Sequence, residues 1–208
     1  MEKILDKNSK QRILDTAIKL FAQKSFEAVS TREICKNANV NLCMISYYFG
    51  GKQELYDAII DDLIEKQSQY AKSFMNISVD PKTLTKQEQI NLLMNILDKF
   101  IDFFYSNISS DLIVLLLKEQ QNQNFKFNSP VFDYFRKVVA SIFNIDENSK
   151  EAIYQTLFII SQINSPKILP AFSLRLLGQD TFTQEDIKII RNNIKFYINL
   201  ILKEKGIV

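Results

Sequence analysis

The chain has no histidine and no tryptophan, and only 4 glycines, 4 prolines and 2 cysteines among its 208 residues. Without imidazole, His-dependent acid–base catalysis and His-ligated metal sites are excluded. The scarcity of Gly and Pro counts against an all-β fold, whose many turns need both. Cys35 and Cys43 are too few for a disulfide framework or a cysteine-cluster metal site. No glycine-rich phosphate cradle occurs either. The longest uninterrupted apolar run, Leu112–Leu117, is far shorter than the ~20 residues that cross a bilayer. The start shows no leader with a basic end, apolar middle and cleavage site. The expectation is a cytoplasmic protein without membrane partner, cofactor or enzymatic activity.

What is present is helical patterning. Apolar residues make up 46% of the chain, ample for a core. The net charge is only +2, but it is unevenly placed. Residues 1–52 hold nine Lys and Arg against five acidic residues, a net +4, and the remainder is therefore −2. A basic head on a mildly acidic body suits phosphate contact by the head. The spacing predicts a first helix from about Ser9 to Lys24, with Ile13, Leu14, Ala17, Ile18 and Phe21 as its buried stripe. A long helix is predicted from Lys52 to about Phe74, then a loop over 76–85. Five more follow, at about 86–106, 109–121, 129–144, 148–164 and 183–204, with a short piece near 167–177.

Residues 29–55 read VSTREICKNANVNLCMISYYFGGKQEL. Ser30-x-x-Glu33 has the form of a capping box, and Ile34, Cys35 and Ala38 follow at helical spacing. Asn39 stands where the chain must turn and tolerates a left-handed backbone. Asn41 is placed to cap a second short helix carrying Leu42 to Tyr48. Phe49-Gly50-Gly51-Lys52 then stops that helix and starts the next. Two short helices around a tight corner make a helix-turn-helix.

From about Lys10 to Ile60 the chain resembles the DNA-binding domain of the tetracycline-repressor (TetR) family. The resemblance lies in the Arg12–Phe21 helix, Phe26, Ser30 to Ile34, Ala38-Asn39-Val40, and Tyr47 to Lys52 with Leu55. The YYFGGK run and the placing of the late helices most resemble the CecR-like branch, whose members respond to antibiotic-type or other xenobiotic molecules. The resemblance implies an all-α fold, with a three-helix DNA-binding head and a larger helical ligand and dimerisation domain. We place the head at residues 1–54 and the second domain at 55–208. Family members often carry Gly where Ser25 stands, so the first helix is expected to end on a different cap.

The opening residues of a recognition helix face base edges, which nominates Asn41, Leu42, Cys43, Ser46 and Tyr47. No Arg or Lys lies between Asn41 and Tyr48, so the common bidentate guanine contact is missing from this helix. Leu42, Cys43 and the Tyr47 ring suit thymine methyls, and the expected operator is A·T-rich. Ser30, Thr31, Tyr48 and Lys52 are the phosphate candidates. Arg32 suits either a base or a phosphate. The family usually has His at Tyr48 and often Tyr at Ser46. Cys35 reads as a buried, inert thiol.

In the body, Tyr70, Phe74, Phe100, Phe103, Phe104, Phe132 and Phe135 build either a plain helical core or a pocket for an apolar or aromatic effector. Lys118, Glu119 and Arg136 are possible polar anchors for it. The last two long helices are apolar on more than one side. Ile153, Leu157 and Ile160 form one row of the first. Ile190, Ile194, Tyr197 and Ile201 form one of the second, with Ile189, Phe196 and Leu200 beside it. A helix with two apolar sides needs two covers, and a second copy of the chain is the natural one. The expectation is a homodimeric regulator, a repressor on a palindromic double-stranded DNA operator, released by a small hydrophobic effector. The rival is a DNA-binding protein gated by a protein partner, or acting architecturally, without such an effector.

Overall fold

The computed structural model describes residues 2–121, 125 and 127–207, with side chains from Asn8 onward. The helices are α1 (Glu2–Gln23), α2 (Thr31–Ala38), α3 (Cys43–Tyr48), α4 (Lys52–Lys72), α5 (Lys86–Asn107), α6 (Ser110–Glu119), α7 (Pro130–Phe143), α8 (Lys150–Ile168), α9 (Leu174–Leu177) and α10 (Gln184–Glu204). Single 3-10 turns stand at Pro81–Thr83 and Pro170–Phe172. No strand occurs among the described residues. The fold is all-α.

Two helix ends differ from expectation. α1 starts at Glu2, roughly two turns before the expected Ser9. α8 runs through Pro166 to Ile168, because a proline in the last turn removes one hydrogen bond and leaves the earlier ones intact. The α8 cap is Ser149, whose Oγ accepts the Ala152 N–H at 3.1 Å. Thr85 and Thr183 both make full capping boxes, with Glu88 and Asp186. The two carboxylates that complete these boxes have lowered pKa values because they accept from threonine hydroxyl and backbone donors.

In packing terms the chain forms two compact units. The first comprises residues 1–66 and 109–128, the second 67–108 and 129–208. The first unit buries Ile13, Leu14, Ala17, Phe21, Val29, Ile34, Ala38, Ile45, Leu55 and Ile59. Phe21, Phe26 and Tyr56 stack around one another with ring centroids 4.9–5.7 Å apart. α6 also belongs to this unit, although its chain neighbours α5 and α7 belong to the second. The core of the second unit is shared by α5, α7, α8 and α10, with Leu93, Val138, Val139 and Ile163 wholly enclosed.

Asn39, Asn144 and Gly178 close the ends of α2, α7 and α9 from the left-handed region, and at the ends of α1, α5 and α7 lysines contribute as well. The last four carbonyls of a helix lack intrahelical partners, and lysines reach in from elsewhere to take them. Lys118 donates to the carbonyls of Phe21 (3.1 Å), Ala22 (2.6 Å) and Lys24 (3.4 Å) at the end of α1. Lys86 donates to Ser141 and Ile142 at the end of α7, and Lys167 to Phe104, Tyr105 and Ile108 at the end of α5. Each places a positive charge at the negative end of a helix dipole. Burial pushes the Lys167 ammonium below its ordinary pKa. Ser25, where the family often has Gly, keeps a negative φ, and the α1 cap is Lys118. Lys118→Met is therefore expected to destabilise the protein by about 1.5–2 kcal/mol, the lower part of the range for charged hydrogen bonds because the side chain is solvent-reachable. Urea unfolding would show it, and Lys118→Arg should keep most of the stability.

Candidate functional site

Ser30 caps α2 from an extended backbone (φ −100°, ψ 151°), its Oγ accepting the Glu33 N–H at 3.1 Å. The expected reciprocal half of that box is replaced, since the Glu33 carboxylate pairs with Lys24 instead. Asn39 takes the left-handed turn (φ 53°, ψ 54°). Asn41 does not cap α3 through its side chain. Its carbonyl accepts the Met44 N–H at 3.0 Å, Leu42 occupies the cap position, and the Asn41 side chain stays exposed. The Cys35 thiol donates to the Leu42 carbonyl at 3.8 Å, tying the start of α3 to α2. Burial raises the pKa of that thiol, as expected for an inert cysteine.

At ~100° per residue, α3 is divided cleanly. Ile45 is buried, and Met44 and Phe49 are half-buried against the unit's core. Leu42, Cys43, Ser46 and Tyr47 are exposed and share about 140° of arc. Leu42 is 47% exposed and Tyr47 72%, so both point outward. The Tyr47 ring sits edge-on to Tyr48, with centroids 5.0 Å apart. Thr31 is half-buried and Arg32 exposed. Lys52, at the first position of α4, holds its ammonium 4.2 Å from the Phe26 ring centroid. All ten nominated residues lie on or at the surface of the first unit.

A second feature lies wholly within the second unit. Gln67, Tyr70 and Ala71 of α4, with Phe74 and Met75 just beyond it, line a partly open cavity together with α5, α7 and α8 residues including Phe100, Phe103, Phe132 and Phe135. Of the seven nominated aromatics, six line it. Phe104 does not. It is buried beside Phe100 and Tyr105, at centroid distances of 6.0 and 5.5 Å. Gln67 accepts a hydrogen bond from the Ser129 hydroxyl at 2.6 Å, latching α4 to the N-cap of α7. This polar lining residue has no distinct sequence signal. The nominated anchors lie elsewhere: Lys118 caps α1, Glu119 accepts from the Tyr56 hydroxyl, and Arg136 pairs with Asp133. The desolvated Tyr56 phenol, facing the Glu119 carboxylate, is raised well above its usual pKa. The cavity volume is about 30 Å³, room for no more than a few water molecules.

The two apolar rows nominated for a partner prove mixed. Ile160 and Ile194 are 5% and 3% exposed and belong to the protomer core, where α8 and α10 pack on α5 and α7. Ile190 and Ile201 are half-buried, while Ile153, Leu157 and Tyr197 are exposed. The outward surface includes the neighbouring row: Tyr154 and Phe158 on α8, with Ile189, Phe196 and Leu200 on α10. Phe158 and Phe196, at 60% and 65%, are the most exposed of these. Among the described residues, no single helix is long and apolar enough to cross a membrane.

Comparison with known proteins agrees with this geometry. The family described as "Bacterial regulatory proteins, tetR family" matches residues 13–59, which span α1 to the first part of α4. The chain is 26% identical to the "Probable HTH-type transcriptional regulator YttP" of Bacillus subtilis, over 94% of this chain and 95% of that protein. It is 23% identical to the "HTH-type transcriptional dual regulator CecR" of Shigella flexneri, over 96% and 94%. Among solved structures, a transcriptional regulator (TerR/AcrR family) from Aquifex aeolicus shares the fold at a TM-score of 0.55 and 17% identity, over 93% of this chain and 99% of that one. A TetR-like transcriptional regulator from Rhodococcus does so at 0.55 and 14%, over 92% and 96%. TetR-type regulators act by binding DNA and are not enzymes. The helix-turn-helix, the all-helical body and these likenesses agree: residues 13–59 form a DNA-binding domain of the tetR-family type, and over nearly its whole length the chain is similar to DNA-binding regulators of transcription.

Proposed function

We propose that the chain is a homodimeric repressor that holds a palindromic, A·T-rich operator and releases it when a small apolar or aromatic molecule enters the second unit. Residues 1–54 carry DNA binding in this reading, and 55–208 carry effector binding and dimerisation. The observation that carries the ligand response is α4 itself. One unbroken helix places Leu55 and Ile59 in the core of the first unit and Gln67, Tyr70 and Ala71 on the cavity wall of the second. A molecule that forces the cavity open therefore pushes on the helix that carries the head.

The cavity must open, since ligand sites measure about 300–1,000 Å³ and this one is about 30 Å³. Phe74, Phe100 and Phe132 are half-buried and are the rings able to swing outward. An effector shifts the equilibrium only by its preference for the opened state, and the closed cavity is the operator-binding state. The two recognition helices of a dimer would enter successive major grooves ~34–36 Å apart. Spin labels on the two heads test this: an effector found by a thermal-shift screen should change the label separation, and no change would sink the mechanism.

The small cavity also favours a second reading, in which a protein partner gates DNA release without any small molecule. If no apolar compound raises the unfolding temperature, that reading replaces the first.

A further inference from the structure

We propose that Leu42 and Tyr47 read the operator by burying the C5 methyl groups of thymines in the major groove. The inference rests on the A·T-rich reading above and names the atoms recognised. A contiguous outward-facing apolar patch marks an interaction surface, and this face of α3 groups Leu42, Cys43 and the ring of Tyr47, with the hydroxyls of Ser46 and Tyr47 as its polar groups. There is no cation and no carboxylate on this face. In the major groove a G·C pair offers O6, N7 and an N4 donor, whereas T adds a methyl group. An aliphatic side chain over a G·C edge would strip those polar groups of water and return nothing. Over thymine, the same side chain covers a methyl.

Preference thus comes from a gain on one base and a penalty on the others. Tyr47 is held for this role by its edge contact with Tyr48, and the Leu42 backbone by the Cys35 thiol. Asn41, exposed at the same end, has the amide that pairs with adenine N6 and N7. It suits the partner strand of the same A·T pairs.

The test uses the full-length protein and operators selected from random duplexes. Thymines under the recognition helix are replaced by deoxyuridine, which keeps the A·T pair and the minor groove and removes only the methyl. Each methyl removed is expected to lower affinity about fourfold, the transfer value of one buried carbon. Leu42→Ala and Tyr47→Ala should bind the thymine operator more weakly and lose their sensitivity to deoxyuridine at the matching position. Equal affinity of the unaltered protein for thymine and deoxyuridine operators would overturn the methyl reading and leave an A·T preference read through groove shape. A selected core rich in G·C would overturn the A·T reading itself, and this inference with it.

Discussion

Replacing Phe158 and Phe196 together by glutamate should yield a folded monomer whose operator affinity is lowered at least a hundredfold. Both rings stand on the outward face of α8 and α10, and neither is in the protomer core. Exposed positions tolerate substitution to within about 0.5 kcal/mol, so the helical content should hold. In a two-fold interface every substitution occurs twice, and like charges brought together there cost several kcal/mol. A monomer then meets one half-site at a time and loses the ~10²–10⁴ gained by linked binding. Sedimentation velocity, circular dichroism and a band-shift titration read the three parts separately. A dimer that survives the double substitution would show that this face is not the interface. Ile194→Ala is the contrasting control. Its side chain is enclosed in the protomer, so it should destabilise the fold by about 2–5 kcal/mol and leave any interface chemistry untouched.

Phe135→Ala should lower unfolding stability by about 3–5 kcal/mol, as large-to-small core substitutions with rings do. Phe135 lies in the core cluster of the second unit and also lines the cavity. Removing its ring adds the space of a small aromatic to a site that otherwise holds about 30 Å³. The expected second result is rescue, because a dry apolar cavity takes up benzene-like molecules. Indole or toluene at ten times its dissociation constant should restore about 1.4 kcal/mol by mass action, with a smaller effect on the unaltered protein. If the rings collapse into the gap, the stability loss will be small and no rescue will follow. If rescue occurs, operator affinity measured with and without the aromatic tests whether filling this space acts on DNA binding.

Much of the fold was readable from spacing alone. The α5, α7 and α10 boundaries fall within a residue or two of their apolar periodicity. Asn39 was readable as the left-handed corner for a similar reason, since its conformation is set within its own residue. The start of α1 was less legible, because its polar opening turns carry no apolar stripe. The half-made box at Ser30 failed for a reason outside the local pattern. Glu33 has a competitor in Lys24, nine residues away.

The sites divide in the same way. The outward face of α3 followed from a short helix with one buried position, Ile45, and the remaining angles are arithmetic. The partner face did not follow. α8 and α10 are each apolar on more than one side, and only the packing of α5 and α7 selects Ile160 and Ile194 for the core. Lys118 was equally opaque. Its three carbonyl partners lie 94 to 97 residues away, and nothing in its neighbours distinguishes it from a solvated lysine.

By itself the sequence determined the helical class, the helix-turn-helix with its uncharged reading face, and the exclusion of histidine chemistry. These depend on composition and on interactions within a few residues, which a linear pattern displays. Tertiary structure alone decided which apolar row of α8 and α10 faces inward, which lysines close helix ends, and that six aromatic rings leave only about 30 Å³ between them. Those outcomes depend on contacts between distant segments, where close packing leaves volume and burial to be set jointly by all the neighbours.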